Sequence, residues 1–430
     1  MSNPPTAAAR PLARHGWTQA AAVVLTGPAV MVLLAAPGLW AAGAADLPDG
    51  AFARVVVATV VAAVGGTLEL SGNAGALART RADLTVLPLS VTLAGALVIG
   101  SGFLRPLRHR AVASARELAG WAARIAVLWL CVLVVLALVA RQSFAVDVGN
   151  GTLSDLTGLF DAAPRIGFTT DAPLTVLFGL LWLAGVLVLA LLVAPAAPLP
   201  GRLLRCHGSV RPAAHAMLVL LLAHVFLGLV VALVVAATRG RPAETFALIL
   251  LGLPNLVWLA LTLGLGATWH GRVDGPFGLP MPHVLDEILR TPDVATLNLR
   301  TLTAHDGRMW WLLVTEVVLV PAVALAAATR SPARVRARQH AVRLGVALAL
   351  TVFMVCLLCR ISAHYGLSLL GIGDLGGGLS GEVFLRPRLW QAVGLGALWG
   401  LVAGFLGALP GRPLRRPAGR ARPGVRNETP

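Results

Sequence analysis

Ten stretches of this chain are long, apolar and nearly free of charge, with approximate limits 18–43, 53–72, 85–104, 118–140, 173–194, 213–237, 245–268, 309–329, 341–359 and 389–409. At a rise of about 1.5 Å per residue, roughly 20 residues cross the hydrocarbon core of a bilayer. Backbone polar groups find no water there, so a crossing segment is a helix or a strand of a closed barrel. The alternation of a barrel strand is absent. The sequence therefore predicts an all-α, polytopic helical membrane protein with about ten membrane segments. Composition agrees: 57% of residues are hydrophobic and 13% charged, about half the charged fraction of a soluble domain. Trp17, Trp40, Trp269, Trp310, Trp311 and Trp390 lie near segment ends, where aromatic belts form.

The formal net charge is +16 and every basic side chain is arginine. The arginines are clustered beside apolar runs at Arg10/Arg14, Arg105–Arg116, Arg202–Arg211, Arg330–Arg343 and Arg412–Arg426. That pattern suits cytoplasmic loops in contact with anionic lipids. It argues for the bilayer, not nucleic acid, as the partner. The 141–172 connection carries Asp147, Asp155, Asp161 and Asp171 and is expected outside. This orientation puts both termini in the cytoplasm of a plasma-membrane protein.

Counting crossings exposes a conflict. Three segments separate the first arginine cluster from the second, and three separate the third from the fourth. If all clusters share one side, one segment in each group of three does not cross. Segment 53–72 is interrupted by Gly65-Gly66 and carries Glu69; segment 245–268 is interrupted by Gly252-Leu253-Pro254-Asn255. Proline removes a helical hydrogen bond, so these two segments are either kinked spans or broken, re-entrant ones.

The conflict recurs at corresponding places, which suggests an internal repeat. A shift of 219 residues lays Arg124 on Arg343, Arg141 on Arg360, Ser143 on Ser362, Asp155 on Asp374, Leu156 on Leu375 and Gly158 on Gly377; two residues less lays Gly179 and Trp182 on Gly396 and Trp399. The chain is thus expected to comprise two five-segment membrane repeats, 1–200 and 201–410, and an arginine-rich disordered cytoplasmic tail, 411–430. The repeat is parallel if each half crosses an even number of times and inverted if all ten segments cross. Transporters use both kinds and place their sites at the repeat interface.

Gly371-Ile372-Gly373-Asp374-Leu375-Gly376 matches the spacing of a dinucleotide fingerprint, but it follows a membrane segment. No acid occurs between Glu382 and Glu428 to hold a ribose. A tight external turn explains the glycines better, and no cofactor is expected. The cysteines Cys131, Cys206, Cys356 and Cys359 suggest neither a disulfide framework nor a metal site. Arg10 and Arg14 precede an apolar run too long for a typical signal peptide, so the first segment is expected to remain.

The stretches "GLPNLVWLALTLGLGATWHGRVDGPFGLPMP" (252–282), "TLNLRTLTAHDGRMWW" (296–311), "RSPARVRARQHAVRLGVALALT" (330–351), "GLSLLGIGDLGGGLSGEVFLRPRLW" (366–390) and "LPLSVTLAGALVIGSGFLRPLR" (87–108) resemble the streptophobe family of actinobacterial multi-pass membrane proteins. The resemblance implies a membrane location and an actinobacterial source. It implies no substrate, cofactor or catalytic residue.

Ionisable groups within membrane segments are costly and mark functional candidates. Taken singly, each of Glu316, His224, Glu69 and Asn255 is more simply read as interhelical glue; the sharper reading joins Glu316, His224 and Glu69 in a proton or cation relay, with Asn255 as a ligand at the proline-interrupted segment. Arg124 and Arg343 are expected to reach the headgroups. His270, Arg272, Asp274, His283, Asp286, Asp306 and Arg308 concentrate in the 269–308 connection without metal-ligand spacing, so no metal is expected. The chemistry points to a small-solute or ion permease with a polar site at the repeat interface, with a non-enzymatic membrane scaffold or envelope-associated assembly factor as the alternative.

Overall fold

The computed structural model describes residues 16–47, 51–74, 78–107, 115–145, 165–194, 201–238, 240, 242–274, 283–291, 293–331, 336–369, 372–374 and 381–409. The tail 411–430, most of the acidic 141–172 connection and Gly371 and Gly376 of the glycine motif lie outside these residues.

The helices are α1 (Trp17–Ala41), α2 (Ala51–Ala63), α3 (Leu89–Leu104), α4 (Ala115–Val139), α5 (Ala172–Val193), α6 (Gly201–Thr238), α7 (Pro242–Gly264), α8 (His283–Leu289), α9 (Leu299–His305), α10 (Trp311–Arg330), α11 (Ala337–Leu358) and α12 (Leu389–Ala408). Among the described residues, nine are long and apolar enough to cross a membrane; α2, with 13 residues, is not. Large apolar side chains remain exposed along these helices, such as Leu33, Phe226, Leu350 and Leu398. A soluble protein does not leave apolar bands of this extent in water. The chain is an integral multi-pass membrane protein, and lipid covers these faces. Trp17, Trp40, Trp310, Trp311 and Trp390 are exposed at helix ends, as an interfacial belt requires.

The connections hold what no sequence pattern announces. They form one antiparallel sheet from β1 (Leu68–Ala74), β2 (Ala78–Thr85), β3 (Gln142–Ala145), β4 (Arg165–Thr170), β5 (Trp269–Val273), β6 (Ala295–Leu297), β7 (Ile361–Leu369), β8 (Ile372–Asp374) and β9 (Gly381–Pro387). Their order is β3-β4-β1-β2-β7-β9-β5-β6, with β8 hairpinned onto β7. Gly373 therefore lies in a hairpin strand, where a dinucleotide-binding chain would begin a helix.

The sheet sits at one end of the helix bundle. Helices α4 and α11 run into it, and α5 and α12 start directly from it. At the far end, helical hairpins close through Trp121 Nε1–Phe103 O at 3.3 Å, His207 Nε2–Leu191 O at 3.0 Å and His340 Nε2–Ala324 O at 3.4 Å. The arginines of the described residues near these hairpins, Arg105, Arg116, Arg211, Arg330, Arg338 and Arg343, sit at that far end, opposite the sheet.

Two helices make contacts with their neighbours at the sheet end of the bundle. For α2, the Arg54 guanidinium donates to Arg141 O just past α4, and Ala63 O accepts from Thr92 in the first turn of α3. For α7, Leu251 packs where Gly38 ends α1, Ile249 O accepts from Ser90 at the start of α3, and Gly264 meets Leu312 at the start of α10. Both helices end in the same motif. Gly65 and Gly266 each have φ +94. Gly66 N–H reaches Val61 O and Ala267 N–H reaches Thr262 O, both at 2.9 Å. This is a Schellman cap with glycine in the left-handed position. From it the chain turns into β1 or β5.

The 53–72 segment breaks at Gly65-Gly66 as expected, but Glu69 then lies on β1 opposite Asp83 and Thr169, not in a membrane helix, which corrects its placement. Segment 245–268 is not broken at Pro254: α7 is continuous through it.

Apart from two small satellites around Val61 and Ala194, the core falls into two clusters. One draws on α1–α5 and accepts Leu251 from α7; the other draws on α6–α12 and accepts Leu87, Leu89 and Leu93 from α3 and its lead-in.

Candidate functional site

The site lies where α6, α7 and α10 meet. His224 sits on α6, and its Nδ1 is 2.9 Å from Leu220 O, one turn back on the same helix. A carbonyl can only accept, so Nδ1 carries the proton and the tautomer is assigned by this contact. His224 Nε2 is 2.7 Å from Glu316 Oε1 on α10. One proton must lie between these two atoms, either on the imidazole beside a carboxylate or on the carboxyl beside a neutral imidazole. Both side chains are buried, Glu316 to 1% relative exposure. Its second oxygen, Oε2, is buried and has no hydrogen-bond partner among the described residues.

Gly264 closes the site from α7. A Cβ there would stand 2.8 Å from Glu316 Cγ and 2.8 Å from Leu312 O. Only a residue without a side chain lets α7 approach α10 this closely. Trp258, two turns earlier, donates its Nε1–H to Leu221 O at 3.2 Å and pins α7 to α6. Thr262 accepts from Trp269 Nε1 at 3.0 Å and ties the helix end to β5.

Of the four candidates read from sequence, the structure brings two together. Glu316 and His224 form the pair, within elements of the second half. Asn255 stands more than two turns before Gly264 on α7, and backbone engages both ends of its amide. Its Oδ1 accepts from Leu89 N–H at 3.1 Å, and its Nδ2 donates to Leu87 O at 2.8 Å. The amide thus supplies a partner to the first turn of α3, which Pro88 leaves without a side-chain cap. Asn255 thus ties α7 to the lead-in of α3, and Cys359 Sγ approaches its carbonyl at 3.7 Å. Glu69, on the sheet, belongs to neither place.

The Asn255 contacts give a prediction. Asn255→Leu strands one donor and one acceptor between the halves, each worth about 1–3 kcal/mol when buried without a partner. Asn255→Asp keeps an acceptor for Leu89 N–H but turns a carboxylate oxygen onto Leu87 O in place of the donor, so its loss should equal or exceed that of leucine. Chemical unfolding of both variants in detergent micelles checks that order.

Other signals settle into supporting roles. Arg124 lies over the Trp17 ring, 5.9 Å from its centroid. Arg272 and Asp274 pair at 3.0 Å on partly exposed β5 and its edge, worth little where water screens them. Cys356 and Cys359 are buried free thiols. Among the described residues, no three His, Cys, Asp or Glu side chains gather as a metal site. Sequence reasoning misses Gly264 and Trp258, and their one sequence signal is that both lie in the apolar segment carrying Pro254. The chain matches no protein-family model, and it matches none of the curated proteins or solved structures with which it was compared.

Proposed function

We propose that this protein is a proton-coupled permease for a small solute or ion, and that the His224–Glu316 pair is its proton site. The observation that carries the reading is the geometry of the pair: one shared proton, both groups buried, and a carboxylate oxygen left over. Removing the shared proton leaves a net negative charge in a low-dielectric bundle; adding one leaves a net positive charge. Either change is costly without movement or a compensating ion. Proton exchange is thereby tied to a change in what surrounds the pair.

The proposed framework is a parallel tandem repeat. Shifting 142 to 361 and 168 to 385 lays the pair Gln142↔Phe168 on Ile361↔Leu385. Shifting 68 to 269, 170 to 387 and 84 to 297 lays Leu68↔Thr170 on Trp269↔Pro387 and Leu68↔Leu84 on Trp269↔Leu297. Under these shifts β3-β4-β1-β2 falls on β7-β9-β5-β6 in the same order. The matching Schellman caps at Gly65 and Gly266 support the same superposition. Each half then crosses the membrane four times and lays one helix, α2 or α7, along the sheet end. With the arginine-bearing ends cytoplasmic, the sheet faces outward and both termini inward. The resemblance to streptophobes remains part of this proposal and names no substrate.

The test uses inverted vesicles holding an acid interior, with acridine orange as the probe and a panel of amino acids, sugars and inorganic cations as substrates. Wild type should release protons on addition of one class, and Glu316→Gln should not. Glutamine keeps a donor for His224 Nε2 but has no proton to give up. Equal release by both proteins removes Glu316 from the coupling. Orientation has its own check: Thr296→Cys should react with an impermeant maleimide added outside intact cells, and Arg338→Cys only after permeabilisation.

A second reading, a non-transporting scaffold, is favoured by the sheet itself, which offers an extended platform at one membrane face. It predicts no solute-dependent proton release, together with a partner recovered through the sheet side.

A further inference from the structure

We infer that the two open edges of the sheet are complementary and join a second copy of this chain, head to tail, β6 of one to β3 of the other. The inference rests on the tandem-repeat part of the proposed function and is independent of the proton site. Within one chain, the two strand modules meet through β2 and β7, with Asp83 opposite His364 and Leu84 opposite Ala363. Among the described residues, the strands at the two ends of the sheet are β6 and β3. Under the shifts above, β6 is the counterpart of β2 and β3 the counterpart of β7. The strand type that closes one side of the inner junction is therefore open at one end of the sheet, and its complement is open at the other.

Carrying the register across gives a definite pairing. Asp83↔His364 becomes Thr296↔Ala145, and Leu84↔Ala363 becomes Leu297↔Phe144. The ladder is short, two pairs within β6 and β3, against three pairs in β5–β6 and four in β3–β4. Sequence at the edges agrees. Proteins guard an open edge with charge, proline or a bulge. Gln142-Ser143-Phe144-Ala145 and Ala295-Thr296-Leu297 contain neither charge nor proline, and their pairings show no register shift. A contact between two different edges is heterologous, so it closes into a ring or continues as a row. A second copy satisfies both edges with one geometry already present in the fold.

The test joins full-length chains in one membrane. Chains carrying Ala145→Cys are co-expressed with differently tagged chains carrying Thr296→Cys, and a mild oxidant is added. The expected result is a mixed-tag disulfide dimer, several-fold stronger than with Val294→Cys, two residues out of register, and stronger than with wild type, whose native cysteines set the background. Native mass spectrometry from nanodiscs should show multiples of the 44.5 kDa chain. A monomer with no mixed-tag product overturns the inference, as does an oligomer that cross-links equally in and out of register. Neither result touches proton release by the single chain, so the permease reading is judged separately.

Discussion

Glu316→Leu is expected to destabilise the protein by about 3–5 kcal/mol, the usual cost of removing one partner of a buried pair. Leucine matches the volume of the site but leaves His224 Nε2, now without the atom it meets at 2.7 Å, facing apolar surroundings. His224→Leu is expected to cost a similar amount, because both Glu316 oxygens would then be unpartnered. The double variant His224→Leu/Glu316→Leu should recover most of the loss, since two apolar groups of similar shape need no partners. The cycle isolates the pair from the packing of either residue. Unfolding of the four proteins in one detergent, followed by tryptophan fluorescence, gives the coupling energy. Losses that simply add in the double variant would show that the pair is not held by its shared proton, and would leave Glu316 without a special place. Recovery of stability by the double variant, with proton release abolished, would separate the fold's use of the pair from its proposed use in proton coupling.

How much of the fold is legible in the sequence follows from how far each determinant reaches along the chain. The membrane helices are local: about 20 uncharged residues define each one, and their limits can be read within a few positions. The stop at Gly65 is local too, yet Leu68-Glu69-Leu70 continues the apolar run past it, which hides the passage through the cap into β1. Pro254 reads as a break because an isolated helix would break there. In the bundle, α7 continues through it with Trp258 and Asn255 held by α6 and α3. The sheet is illegible because its central pairing joins Ala78 to Leu369 and Thr85 to Ser362. Strand preference is set largely by such neighbours, and "LELSGNA" or "ISAHYGLSL" alternates too weakly to announce itself. Glu316 and His224 stand out singly because charge in an apolar segment is expensive. That they meet, 92 residues apart in sequence, is a property of α6 and α10 packing that no local pattern encodes. Asn255 reads as a ligand for the same reason of expense; its amide is instead taken up by Leu87 and Leu89.

The other large effect is expected at Gly400. On α12, Gly396, Gly400, Gly404 and Gly407 recur at helical spacing and so share one face. A Cβ at Gly400 would come within 2.7 Å of Gly345 Cα and 2.7 Å of Leu344 O on α11. Both are backbone atoms of a packed helix and cannot swing aside as a side chain can. Gly400→Ala must therefore part the two helices, at about 1–3 kcal/mol for an overpacked site. Gly400→Leu should exceed that range and prevent the α11–α12 hairpin from closing. Two controls separate crowding from helix propensity. Gly394 lies on the same helix, and a Cβ added there would meet nothing within 4 Å, so Gly394→Ala should be neutral or gain about 0.5–1 kcal/mol from the better helix former. Gly179, its neighbour in the first half being the Leu133 side chain at 2.7 Å, should tolerate alanine at a smaller cost than Gly400, because leucine can change rotamer. The ordering Gly400→Ala below Gly179→Ala below Gly394→Ala in melting temperature, measured in the same nanodisc, is the expected outcome. In membranes close backbone packing is one of the forces that join helices, so the α11–α12 hairpin is expected to hold together as a unit. An alanine at Gly400 as stable as wild type would mean that the two helices can part at this contact without cost.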